Sequence, residues 1–224
     1  MVFEYILFDL DGTLTDPKIG ITSSVQYALR AFGIDEPNLD KLEPFIGPPL
    51  ADSFMEFYGF TPEQAKAAIG KYRERFDHQG IYENEMYEGI DGMLSRLKES
   101  GKMLAIASSK PTPLAIRVLE YFGIREYFDY IVGSEPGGGR SKKEEVVEEA
   151  LRLMVPKTLA AKERKARVAM VGDRRFDIEG AKAHGLTSVG VSFGYAPEGE
   201  LVAAGADCIV DTVSQLEDIL MGKD

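Results

Sequence analysis

Apolar positions along this chain follow two rhythms. Short, β-rich, almost uninterrupted apolar runs occur at Val2–Leu10, Met103–Ala107, Tyr130–Val132, Val168–Val171, Ser188–Val191 and Cys208–Val210. Their lack of polar–apolar alternation predicts strands covered on both faces. Between them, apolar residues recur at helical spacing over Gly89–Ser100, Pro113–Phe122, Lys143–Met154, Asp177–His184 and Pro197–Ala204, and Val213–Leu220 predicts a last short helix. Repeated strand–helix units imply right-handed crossovers and a parallel sheet between helix layers. The expected fold is α/β, a three-layer Rossmann-like core, with a strand order that periodicity does not give.

The alternation breaks between Asp16 and Glu85. That stretch reads as helices at Ile19–Phe32 and Thr61–His78 with shorter material around Leu39–Tyr58, and Thr61 before Pro62 has the form of an N-cap and first helical residue. The expected organisation is a core of residues 1–15 and 86–224, interrupted by an inserted helical domain of residues 16–85. Such an insert could close over a site at the end of the first strand or be a peripheral decoration.

Composition narrows the class. With 44% hydrophobic and 28% charged residues in 224, the chain is an ordinary globular one. A formal charge of −11 argues against binding a nucleic acid polymer, and the basic run Lys162–Arg167 reads as a solvated helix face. No apolar run is long enough to span a membrane, and no basic leader precedes MVFEYILFDLDG, so no membrane association is expected. Cys208 is the only cysteine and reads as a filler of a buried strand; a cytoplasmic location is the expectation. Glu135–Arg140, EPGGGR, reads as a flexible turn, and no GxxxxGK[ST] phosphate loop occurs.

The candidate chemistry lies in acidic residues at strand ends. Asp9 and Asp11 follow the first apolar run, with Gly12 free to turn the chain; extended backbone would send both carboxylates to one face. Paired carboxylates repel unless a cation or shared proton relieves them, and Mg²⁺ favours such oxygen donors. Asp173 follows the fourth run and Asp177 opens the next helix. Active groups of parallel sheets gather beyond the carboxyl ends of strands, so all four acids are expected to converge. Any one of them alone could be an Asx-turn or cap, Asp177 above all. Ser108 offers a hydroxyl to a phosphate oxygen or to an ordinary turn, and Ser109 and Lys110 beside it are further candidate phosphate contacts. Lys143 could neutralise a nucleophile and a phosphate together, with Lys142 its direct competitor. His78 and His184 lie outside any metal-ligand spacing.

DLDGTLTD, SSKP, RSKKEEVVEEAL and GDRRFDIEGA, in that order, resemble the haloacid-dehalogenase-like hydrolases, in particular their phosphoglycolate-phosphatase-like branch. The resemblance spans nearly the whole chain and implies a phosphatase acting through an aspartyl-phosphate. It would make Asp9 the nucleophile and Asp11 the general acid, then base. Thr13 would hold the loop or phosphate, Ser108 the phosphate, and Lys143 would be the family's lysine. It also implies Mg²⁺ held by Asp9, the Asp11 carbonyl and Asp173, supported by Asp177. Residues 16–85 would be a helical cap, with Gly47 in FIGPPLADSF approaching the substrate. The implied partner is a small phosphorylated metabolite: phosphoglycolate, a 5′-nucleotide, a sugar phosphate or pyrophosphate. A phosphomutase or a non-catalytic phosphate-binding module would be the departures. The chain would be a monomer or homodimer. GYAPEGE, where close relatives end in GYG, departs from the pattern without removing a predicted catalytic group.

Overall fold

The computed structural model describes residues 3–135 and 139–223. Val2 and the centre of the expected Glu135–Arg140 turn, residues 136–138, lie outside the described residues. In chain order the strands are β1 (Tyr5–Phe8), β2 (Thr15–Asp16), β3 (Glu85–Met86), β4 (Met103–Pro111), β5 (Tyr130–Ser134), β6 (Val168–Gly172), β7 (Thr187–Val191) and β8 (Cys208–Val210). The first five helices are α1 (Lys18–Arg30), α2 (Leu50–Tyr58), α3 (Pro62–Phe76), α4 (Ile90–Glu99) and α5 (Thr112–Tyr121). They are followed by α6 (Lys143–Met154), α7 (Ala161–Arg167), α8 (Arg175–Ala183), α9 (Glu200–Ala204) and α10 (Val213–Met221). Two compact units share the chain, residues 1–15 with 86–224 and residues 16–85.

In the larger unit six parallel strands run in the order β5-β4-β1-β6-β7-β8. Parallel pairing buries both faces, so β1 and β6 carry almost no polar residue, and the buried Thr187 and Ser188 that open β7 spend their hydroxyls on Lys165 O and Asp207. Leu7 and Met170 point into a cluster with Val146, Val147, Ala150 and Ala181 of α6 and α8. Phe8, one residue on from Leu7, instead meets Phe128 edge-on at 6.3 Å, as the two-residue period of a strand requires. The chain order reverses at β1, which lies between β4 and β6. In open parallel sheets that crevice, beyond the carboxyl ends of the strands, is where ligands bind. Phe8 is in register with both Ile106 and Val171, so the loops after β1 and β6 and the last residues of β4 start at one level.

Two expectations about edges need correction. The first strand is Tyr5–Phe8 only, because beyond it Leu10 O accepts the N–H groups of Thr13, Leu14 and Thr15 and the chain turns. Cys208 is half-buried rather than filling a core, because β8 is the sheet's edge: Ile209 is exposed and only Val210 is buried.

The smaller unit packs α1 against α3 and α2 against α3. Phe45, Phe54 and Phe60 form an aromatic core, with centroid separations of 5.0 Å and 5.7 Å along the series. Thr61 and Gln64 cap α3 reciprocally, each side chain accepting the other's N–H, with Pro62 at the first helical position. Gly47 precedes α2 with φ 103°, a backbone state that favours glycine.

Candidate functional site

Asp9 leaves β1 with its N–H still bonded to Val171 O at 2.9 Å, so its position is set by the sheet. One carboxylate oxygen accepts the N–H of Leu10 at 2.7 Å. The other lies 3.0 Å from the Lys143 ammonium. Lys143 begins α6 and is buried; its Nζ also lies 2.7 Å from Asp177 and donates to Ala107 O at 3.0 Å. Burial alone would push this ammonium's pKa down, but the carboxylates of Asp177 and Asp9 override it and hold the pKa above its ordinary value. Lys142 is exposed at the helix N-cap, which separates the two candidate lysines.

Asp9, Asp173 and Asp177 are all buried, and each offers a carboxylate oxygen within 4.8 Å of the others, a group that could hold a metal ion. Asp173 accepts the Thr13 hydroxyl at 3.1 Å and the Tyr195 N–H at 2.8 Å. Burial, with repulsion from Asp177 and Asp9, pushes Asp173 well above the usual carboxylate range. Asp177 is pushed up to about 6 by burial, against the pull of Lys143. It also accepts the Arg174 N–H at 3.0 Å, so the capping role and the clustered role share one side chain. Three buried hard-oxygen donors that repel one another fit a divalent cation, which would remove the cost of keeping them charged.

The Asp11 carboxylate is not part of this three-residue group, although the charges of Asp9 and Lys143 act on it. Asp11 lies beyond the end of β1 at Phe8, where the chain turns at Gly12 with φ 82°. Its Oδ2 instead pairs with Lys110 Nζ at 2.6 Å, and no donor among the described residues reaches its buried Oδ1. Burial raises its pKa and Lys110 opposes the rise. A β-carbon at Gly12 would overlap the Asp173 carboxylate, so close approach as well as turning requires glycine there.

Ser108 is buried in β4, where its hydroxyl accepts the Lys110 N–H at 3.3 Å; the Ser109 carbonyl accepts the Ser134 hydroxyl. Thr13 is buried and spends its hydroxyl on Asp173. Gly47 belongs to the other compact unit. His184 ends α8 and meets Glu144 O, as a helix exit would, and His78 is exposed. Sequence reasoning missed Arg174, Tyr195 and Glu200. Arg174 lay in plain view inside GDRRFD, and the other two lie in the GYAPEGE stretch, where nothing in the spacing marks them. With buried carboxylates, an ammonium and a hydroxyl around one crevice, the arrangement can do phosphoryl chemistry.

The sequence profile described as haloacid dehalogenase-like hydrolase matches residues 6–191. A 5′-nucleotidase of Pseudomonas aeruginosa is 46% identical over 201 residues, 90% of this chain and 88% of that protein. The tyrosine-protein kinase PtkA of Mycobacterium tuberculosis is 38% identical over 86% of this chain, which spans 63% of that protein's length. Among solved structures, a predicted phosphatase from Clostridium acetobutylicum superposes with a TM-score of 0.91 at 42% identity, covering 99% of this chain and 100% of that one. Among the described residues no helix is long and apolar enough to cross a membrane. The chain belongs to the haloacid dehalogenase-like hydrolase family and is a phosphatase.

Proposed function

We propose that this phosphatase is a Mg²⁺-dependent phosphate monoester hydrolase working through an aspartyl-phosphate on Asp9, with a small phosphorylated metabolite as substrate. The observation that carries this reading is the buried Lys143 ammonium seated between Asp9 and Asp177 within the three-carboxylate group. It offsets the repulsion between the Asp9 carboxylate and an incoming phosphate. Asp9 attacks phosphorus, and the bond to the leaving alcohol breaks as Asp11 gives that oxygen a proton. Asp11, oriented by Lys110, then takes a proton from water attacking the acyl phosphate, which releases phosphate and regenerates Asp9. Ser108 and the amides beside it hold the phosphate oxygens. Asp9, the Asp11 carbonyl and Asp173 would hold Mg²⁺, supported by Asp177, and the ion would supply charge neutralisation of the transferring group. Residues 16–85, inserted between β1, which Asp9 follows, and β4, which carries Ser108, take the part of a cap that selects substrate.

A nucleoside 5′-monophosphate is the first candidate substrate, supported by the identity to the Pseudomonas aeruginosa 5′-nucleotidase over most of both chains. The test is phosphate release from nucleotides, phosphoglycolate, sugar phosphates and pyrophosphate, with Mg²⁺ or EDTA, for the wild type and Asp9→Asn. Mg²⁺-dependent release lost in Asp9→Asn is the expected result, with a nucleotide preferred. Full release in EDTA, or in a folded Asp9→Asn, would overturn the reading.

A further inference from the structure

Asp173 and Asp177 repel each other and Asp9, so something must hold the turn between them in place. Its backbone and one side chain are gripped by a single carboxylate. Glu200, at the start of α9, accepts from Arg174 Nε at 2.9 Å and from the Arg175 N–H at 2.9 Å through one oxygen, and its other oxygen faces Arg174 Nη2 at 3.4 Å. Arg174 in turn donates its N–H to Asp177 at 3.0 Å. The connection from β7 to α9 also reaches the other end of the turn, where the Tyr195 N–H donates to Asp173 at 2.8 Å. Gly194 lies so close that a β-carbon there would overlap both Asp173 Cβ and Gly12 O. The segment 194–200 therefore grips residues 173–175 directly, and reaches Asp177 through the Arg174 N–H. The Arg174–Glu200 pair is well shielded, with side chains 9% and 14% exposed, and its two-point geometry fixes orientation as well as distance.

We propose that Glu200 is a positioning residue for the metal: through Arg174 and Arg175 it holds Asp173 and Asp177 at the spacing that binds a divalent cation. This rests on the metal reading above. Partners of this kind, one shell out from the ligands, change metal affinity by roughly 10- to 100-fold when removed. A residue that merely fastened α9 to α8 would change the melting temperature and leave metal affinity alone.

The test is Mn²⁺ binding to the substrate-free protein, read by electron paramagnetic resonance, for wild type, Glu200→Gln, Glu200→Ala and Glu4→Gln, each with its melting temperature. Glu4→Gln is the control: it breaks an ion pair with Arg167 before β1, at the opposite end of the strand from Asp9. The expected result is Mn²⁺ affinity weakened about 10-fold in Glu200→Gln and nearer 100-fold in Glu200→Ala. Glu4→Gln should match wild type, and the substrate KM of Glu200→Gln at saturating metal should be unchanged, because no uniform substrate binding is removed. Wild-type Mn²⁺ affinity in Glu200→Gln would overturn the proposal, even if Glu200→Ala bound poorly by failing to fold. A wild type that binds no Mn²⁺ would overturn the metal reading and this proposal with it, whereas tight wild-type binding shared by both Glu200 variants would overturn this proposal alone.

Discussion

Lys143→Met removes one ammonium while leaving an apolar stem of similar length, and its consequences follow from three contacts. The Nζ atom lies 3.0 Å from Asp9, 2.7 Å from Asp177 and 3.0 Å from Ala107 O. Without it, two buried carboxylates no more than 4.8 Å apart at their facing oxygens lose the charge between them. At an effective dielectric of about 20, like charges at that separation repel by about 3.5 kcal/mol. Breaking a buried pair by deleting one partner costs about 3–5 kcal/mol for the same reason. Chemical denaturation of the metal-free protein at neutral pH should show a loss of that size, shrinking toward pH 5 as Asp177 takes up a proton. The turnover number should fall about 10²- to 10³-fold, the usual effect of deleting a preorganised electrostatic partner. Lys142→Met is the internal comparison: its side chain is exposed, so it should stay within about 0.5 kcal/mol of wild type with unchanged turnover. Equal effects from the two substitutions, or a Lys143→Met enzyme with wild-type turnover, would refute the reasoning.

Other outcomes follow from the same geometry. Gly194→Ala would drive its β-carbon into Asp173 and Gly12, and a shift of about 1 Å in Asp173 should lower kcat about 100-fold in steady-state assays, with Gly70→Ala, an exposed helix position with open space around it, leaving kcat unchanged. The raised pKa values of Asp173 and Asp177 mean that the folded, metal-free protein holds more protons than the unfolded chain above about pH 4. Metal-free stability therefore falls as pH rises from there through about 6, the value for Asp177, and Mg²⁺ should cancel that fall. Thermal scans with and without EDTA check this, and identical pH slopes in the two series would contradict it. At saturating Mg²⁺, about 100 times the dissociation constant, the added stability should be about 2.7 kcal/mol.

The parts of this molecule legible in its sequence are those set by local pattern. The apolar runs of β1, β6 and β7 announce strands buried on both faces, and the rule that parallel sheets act at their carboxyl ends brings Asp9 to Asp173 and Asp177 across the chain. Long-range geometry was hidden. Periodicity does not say that β1 sits between β4 and β6, or that β8 is an edge, so Cys208 read as buried. The two-residue spacing of Asp9 and Asp11 implied a shared face only while the strand continued, and it ends at Phe8. Lys110 read as a phosphate contact, yet it pairs with Asp11 at 2.6 Å, a partnership across about a hundred residues that no spacing encodes. Lys142 and Lys143 were indistinguishable by type: Lys142 is the exposed N-cap of α6, and Lys143 is the buried first residue of that helix. Glu200 had no local signal because its importance comes from the turn it holds.

The most direct test of the central claim is to catch the phosphoryl group on Asp9. In Asp11→Asn supplied with Mg²⁺ and an aryl phosphate, whose leaving group needs no proton, attack by Asp9 should proceed while water activation is slowed, so the intermediate accumulates. Acid quench followed by peptide mass spectrometry should then find one phosphoryl group on the peptide containing Asp9, removable by hydroxylamine. Continued turnover with that peptide unmodified at every time point would mean that water attacks the substrate directly, and the account of Asp9 as nucleophile would be wrong.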